Sequence, residues 1–121
     1  MAREWLNRAK SNLAIARQPK TDDIYREDLC FEVQQAAEKA LKAVLLAKGI
    51  KFRFVHDVSE LLTTLERNGV TLTDEVRNAA ILTDYSVAAR YPGPFEPITE
   101  EEFMESLRIA EVVVAWAETR I

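Results

Sequence analysis

Apolar residues along this chain recur every three or four positions, a spacing that predicts helices nearly from end to end. In residues 3–17, Trp5, Leu6, Ala9, Leu13 and Ala16 fall on one helical face. Gln18-Pro19-Lys20-Thr21-Asp22-Asp23 then breaks the pattern, because proline lacks a backbone donor and clashes with the preceding turn. The longest run follows, from Ile24 to Lys48, with Leu29, Val33, Ala36, Ala37, Ala40, Leu41, Val44 and Leu45 as its apolar positions. Alanine and leucine favour the helix, and Glu38 with Lys42 makes an i,i+4 pair of the favourable orientation. Gly49 stands where a left-handed residue would end this helix. Ile50 to His56 alternates without an evident partner strand and reads as an extended connector.

A third, shorter helix is expected from the stripe Val58, Leu61, Leu62 and Leu65, capped by Asp57 or Ser59 and closed by Asn68-Gly69. A fourth begins at a Thr73 cap, carries Asp74 and Glu75 in its first turn, and runs through Val76, Ala79, Ala80, Leu82 and Tyr85 to Pro92-Gly93-Pro94. Thr99-Glu100-Glu101-Glu102 is a capping box opening the last helix. That helix has two adjoining apolar sets. Phe103, Leu107, Ala110, Val114, Ala117 and Ile121 form one, and Ile109, Val112, Val113 and Trp116 the other. A face this wide belongs to a helix that is either central or shared with a second subunit. The expected fold is all-α, an up-and-down four-helix bundle with an additional short helix.

Composition narrows the class further. At 121 residues the chain is long enough for one domain, 1–121, with its own core. Only 3 Gly and 4 Pro are present, too few for the many turns of a β-sandwich or barrel. Cys30 is the single cysteine and His56 the single histidine, so neither an intramolecular disulfide nor a Cys/His zinc site is expected. No apolar run has the length of a membrane span and the first residues lack a signal-peptide block, so a cytoplasmic location is expected. The net charge of −4 gives no support for broad nucleic-acid binding.

The chain has no glycine-rich phosphate loop and no nucleophile elbow. Cys30, among apolar neighbours, reads as a small buried hydrophobe rather than a reactive thiol. Gln35, Glu38, Lys39 and Lys42 lie three or four apart on the second helix, either as a solvated face or as a polar surface for a ligand or partner. His56-Asp57 stands at a loop-to-helix junction, where His56 suits acid–base chemistry or a structural hydrogen bond and Asp57 a cap. Arg53 offers a donor fork for phosphate. Arg90-Tyr91 can grip a nucleotide by charge and stacking, or close a helix over the core.

Together these stretches resemble the HEPN (higher eukaryotes and prokaryotes nucleotide-binding) family. The resemblance runs through Trp5-Leu6-x-x-Ala9, Cys30-Phe31-x-x-Gln34-Gln35-Ala36-Ala37-Glu38-Lys39-Ala40-Leu41-Lys42-Ala43, His56-Asp57 and Ala89-Arg90-Tyr91-Pro92. It implies a helical bundle, a homodimer, and a minimal nucleotidyltransferase as partner in a toxin–antitoxin-like pair. One subgroup of that family cleaves RNA through an Arg-x4-6-His motif. Here the positions four to seven before His56 are Phe52, Lys51, Ile50 and Gly49, and no histidine follows Arg77 or Arg90. The motif is absent, which points away from an enzyme.

The resemblance therefore implies a nucleotide-binding or regulatory module with no cofactor and no metal. Its expected polar site comprises Arg53, His56, Asp57, Arg90 and Tyr91, with Lys39 and Lys42 adding phosphate contacts. The arginines would hold phosphate and Tyr91 a base or ribose. Two alternatives remain open: a ribonuclease toxin using His56 at a dimer cleft, and a non-catalytic dimeric scaffold. Any transferase chemistry is expected to come from another polypeptide.

Overall fold

A computed structural model describes residues 1–53, 57–83 and 97–121. The elements in chain order are α1 (Ala2–Ala16), α2 (Arg26–Ala47), α3 (Val58–Arg67), α4 (Asp74–Arg77) continued by a 3-10 turn (Asn78–Ile81), and α5 (Glu100–Arg120). No strand occurs among the described residues; residues 50–53 of the expected connector lack regular structure, and its residues 54–56 lie outside the described residues.

The helix ends follow local chemistry. Asp57 accepts a hydrogen bond from the Glu60 amide (3.2 Å), so Asp57 rather than Ser59 caps α3. Thr73 accepts from the Val76 amide (3.2 Å). At α5 the box closes in both directions, with Glu102 N–H to Thr99 Oγ1 (3.1 Å) and Thr99 N–H to Glu102 Oε1 (3.0 Å). Gly49 ends α2 at φ +67°, which lets the Ile50 amide reach back to the Leu45 carbonyl and its own amide to Leu46. Those two bonds satisfy carbonyls that the helix leaves without partners.

Cross-helix contacts fix the directions. Lys10 meets Glu118 and Arg17 meets Glu111, so α1 and α5 are antiparallel. Asn12 donates to Glu32 (3.1 Å) and Lys42 lies over Trp5, so α1 and α2 are antiparallel too. Arg26 reaches Ile98 and Cys30 reaches Ser106, which makes α2 and α5 parallel. α2 packs against α1, α3 and α5, and its residues from Val33 to Leu45 are buried at nearly every position. It is the axis of the bundle. α3 and the α4 segment close the remaining side.

One open alternative is decided and one expectation changes. Apart from Ile121, which is exposed, both apolar sets of α5 are used inside the chain: Phe103, Leu107, Ala110, Val114 and Ala117 are buried, as are Ile109, Val113 and Trp116, and Val112 is half-buried. The width of that face therefore reflects a central position and does not require a second subunit. The fourth helix is not one continuous α-helix, because winding tightens to 3-10 at Asn78–Ile81. Small Ala79 and Ala80 permit close approach there, and the Ser59 hydroxyl donates to the Ala80 carbonyl (3.4 Å), supporting the altered winding from outside. Leu82 follows the turn and is buried, whereas the remainder of that expected helix, from residue 84 through Tyr85 to Pro92-Gly93-Pro94, lies outside the described residues.

Candidate functional site

Two places gather the polar residues singled out in the sequence. The first is on α2. Gln34, Glu38 and Lys42, one turn apart, are all buried, with Gln35 and Lys39 half-buried beside them. Lys42 Nζ donates to Glu38 Oε1 at 2.7 Å. Gln34 Nε2 and Gln35 Nε2 donate to Glu38 Oε2 at 3.0 and 3.3 Å, and Gln35 also donates to Gln34 Oε1 at 3.2 Å. Lys42 further stands 5.6 Å from the centre of the Trp5 ring, within cation–π range.

These residues are therefore not a solvated face. Both carboxylate oxygens of Glu38 are engaged, and the Lys42 charge is neutralised below the surface. Burying two charges carries a desolvation cost, so the pair persists only because hydrogen bonds satisfy its remaining atoms. Its geometry suits fixing the register of α1 on α2. Lys42 points inward to Glu38, away from the exposed phosphate contact expected of it, whereas Lys39 stays half-exposed on the adjoining flank.

The second place is the N-terminus of α3. Arg53 is exposed over 81% of its side chain and pairs with Glu60 Oε1 at 3.4 Å. A pair this exposed contributes little and leaves the guanidinium available. Asp57 Oδ1 caps the helix and also accepts from Thr83 Oγ1 at 3.3 Å, while the Ser59 amide donates to that same hydroxyl (3.3 Å). Residue 57 is thereby tied to residue 83. His56, Arg90 and Tyr91 lie outside the described residues.

Cys30 is buried beside Ser106, its Sγ 3.9 Å from Ser106 Oγ. Burial pushes its thiol up to about 11, so at neutral pH it is protonated and a poor nucleophile. No group of three or more His, Cys, Asp or Glu side chains among the described residues is placed to hold a metal ion. No helix among them is long and apolar enough to cross a membrane.

Sequence reasoning missed the role of Trp5 beneath Lys42 and the Asn12–Glu32 contact. Both are cross-helix pairings, and intervals within a single helix do not reveal those. It also missed a cleft of about 280 Å³ between the end of α1, the start of α2 and the first turns of α5, which includes Arg17, Lys20, Arg26, Leu29, Phe103 and Met104 in its lining.

Comparison with known proteins agrees with the helical architecture. The sequence profile of the HEPN domain matches residues 2–120. TT1696 from Thermus thermophilus, of known crystal structure, is 34% identical, with a TM-score of 0.85 and coverage of 99% of this chain and 98% of that one. ST0689, an archaeal HEPN homologue, is 28% identical with a TM-score of 0.77, covering 98% of this chain and 96% of its own. A HEPN domain protein from Thermotoga maritima is 25% identical with a TM-score of 0.60, covering 99% and 95%. No curated protein matches the chain.

Proposed function

The chain belongs to the HEPN domain family, and from that premise we propose that it is a nucleotide-binding or regulatory module acting beside a minimal nucleotidyltransferase in a toxin–antitoxin-like pair. In this reading residues 1–121 form one HEPN domain, which works as a cytoplasmic homodimer. The observation that carries the reading is the Asp57–Thr83 hydrogen bond at 3.3 Å. It ties residue 57 to residue 83, and the positions of these two in the sequence are what support the reading. Asp57 directly follows His56 and lies four residues after Arg53, and Thr83 begins the stretch that continues in sequence to Arg90 and Tyr91.

The division of labour follows from side-chain chemistry. Arg53 and Arg90 supply donor forks to phosphate oxygens, and Lys39 adds a cation from the α2 flank. Tyr91 contacts the base or ribose, and His56 supplies a further hydrogen bond. Asp57 positions the others and does not itself bind, since an anion beside phosphate is repelled. Lys42 acts through Glu38 and the packing of α2. With 3 glycines in the chain and no phosphate-cradling loop, side chains carry the binding. The spacing of arginine and histidine required for the family's RNA cleavage is absent, so ligand retention rather than turnover is the expected outcome.

A thermal-shift screen with ATP, GTP and other nucleotides, paired with an RNA cleavage assay, tests this. Stabilisation by at least one nucleotide without RNA cleavage supports the reading. Cleavage that is lost in His56→Ala would replace it with the ribonuclease alternative.

A further inference from the structure

Two adjoining depressions flank the N-terminal half of α5, and they differ in charge. The first, on the α1–α2 side, includes Arg17, Lys20 and Arg26 above apolar Leu29 and Phe103. The second, on the outer side of α5, includes Glu101, Glu105, Arg108 and Glu111. Glu100, Met104 and Leu107 are common to both, so the two form one continuous surface. Met104 sits at its middle and is 53% exposed, an apolar side chain in water at the boundary between the two charges.

Several charges on this surface are already used within the chain. Arg17 pairs with Glu111 at 2.5 Å, and Arg108 with Glu105 at 2.7 Å. Among the described residues no carboxylate lies within ion-pair distance of Lys20 or Arg26, and no cation within that distance of Glu100 or Glu101. Lys20 donates to the Thr21 carbonyl (3.4 Å), and Arg26 to the Ile98 carbonyl (2.9 Å). The unpaired cations thus lie on one side of Met104, and an unpaired carboxylate, Glu101, lies on the other.

A surface with an apolar centre, a cationic half and an anionic half is complementary to itself under a two-fold rotation. Such symmetry lets one patch serve both partners, with each residue contacting the other's counterpart. We propose that this α5 surface is where a second copy of the chain docks, Met104 against Met104, with Lys20 and Arg26 of each copy facing Glu101 of the other. The proposal rests on the homodimer reading above and adds the face and the pairing. Complementary charge selects the partner and register, and the central apolar contact excludes water.

The test is charge reversal with mixing, read by sedimentation of the full chain. Lys20→Glu and Glu101→Lys are both exposed substitutions, and circular dichroism checks that each variant stays folded. In a homodimer of either variant, like charges meet twice. In an equimolar mixture, the glutamate introduced at position 20 of one variant meets the lysine introduced at position 101 of the other, and the unaltered Lys20 and Glu101 meet as before. The expected result is a wild-type dimer weakened by salt, each variant alone dissociating about tenfold more readily, and the mixture reassembling. A wild-type monomer overturns both this proposal and the homodimer reading. Variants that dimerise as well as wild type overturn the docking surface alone. Two folded variants that weaken but do not recover on mixing overturn the two-fold pairing.

Discussion

Lys42 shows how far a residue's role depends on what surrounds it. The i,i+4 spacing of Glu38 and Lys42 foretells their pairing, and the pair forms at 2.7 Å. The same spacing is compatible with a solvated stripe, because intervals along one helix do not reveal how many neighbours enclose it. α1, α3 and α5 all pack against α2, and that enclosure turns a surface-like pattern into a buried network. Removing one member leaves a charge without its partner. Lys42→Met is therefore expected to cost about 3–5 kcal/mol, measured by urea unfolding, whereas Arg53→Ala at the exposed Glu60 pair costs under about 1 kcal/mol. Equal losses for the two would contradict the assignment.

Cys30 gives a residue-scale prediction in pH. Its folded thiol titrates near 11, against 9.0 for an unperturbed thiol, chiefly because burial disfavours the thiolate. The raised value means that the folded state holds the proton more tightly than the unfolded chain. The contribution is intact below about pH 9 and is lost as pH rises toward 11. Stability measured across that window should fall more steeply for the native chain than for Cys30→Ala. At pH 8 the native thiol should resist alkylation until denaturant is added.

At the scale of elements, the local rules were readable and the exceptions came from tertiary contact. The caps at Asp57, Thr73 and Thr99 and the left-handed Gly49 stand where sequence chemistry puts them. Each depends on groups within a few residues, so a sequence window contains all it needs. Thr99→Ala removes the side-chain half of the α5 box and should cost about 1 kcal/mol in thermal or urea unfolding, with Thr99→Ser restoring most of it. The 3-10 turn at Asn78–Ile81 was not readable, because the Ser59 hydroxyl that bonds the Ala80 carbonyl is 21 residues away. The ambiguity over α5 has the same origin: a wide apolar face is compatible with a central helix or a subunit contact, and only the packing of α1, α2 and the α4 segment against it decides.

At the scale of the molecule, the bundle was legible because strong 3.6-residue periodicity and scarce breakers act in the same direction. The candidate site was legible in part. Arg53 and Asp57 lie together at the start of α3, and Asp57 is bonded to Thr83 across 26 residues of sequence, a joining that no motif spacing states. Lys42 was drawn toward the site by its spacing and belongs to the core instead. The cationic and anionic halves around Met104 draw on residues from the connection between α1 and α2, from α2 and from α5, and therefore exist only in three dimensions.

As proposed above, this HEPN chain retains a nucleotide through exposed side chains. Calorimetric titration of ATP and GTP into the native chain and into Arg53→Ala tests it most directly. Saturable binding by the native chain is expected for at least one of the two. Binding should be about tenfold weaker in Arg53→Ala, with its unfolding midpoint nearly unchanged, as loss of one charged phosphate contact would produce. Absence of binding heat at millimolar ligand, or identical affinity in the two proteins, would contradict it.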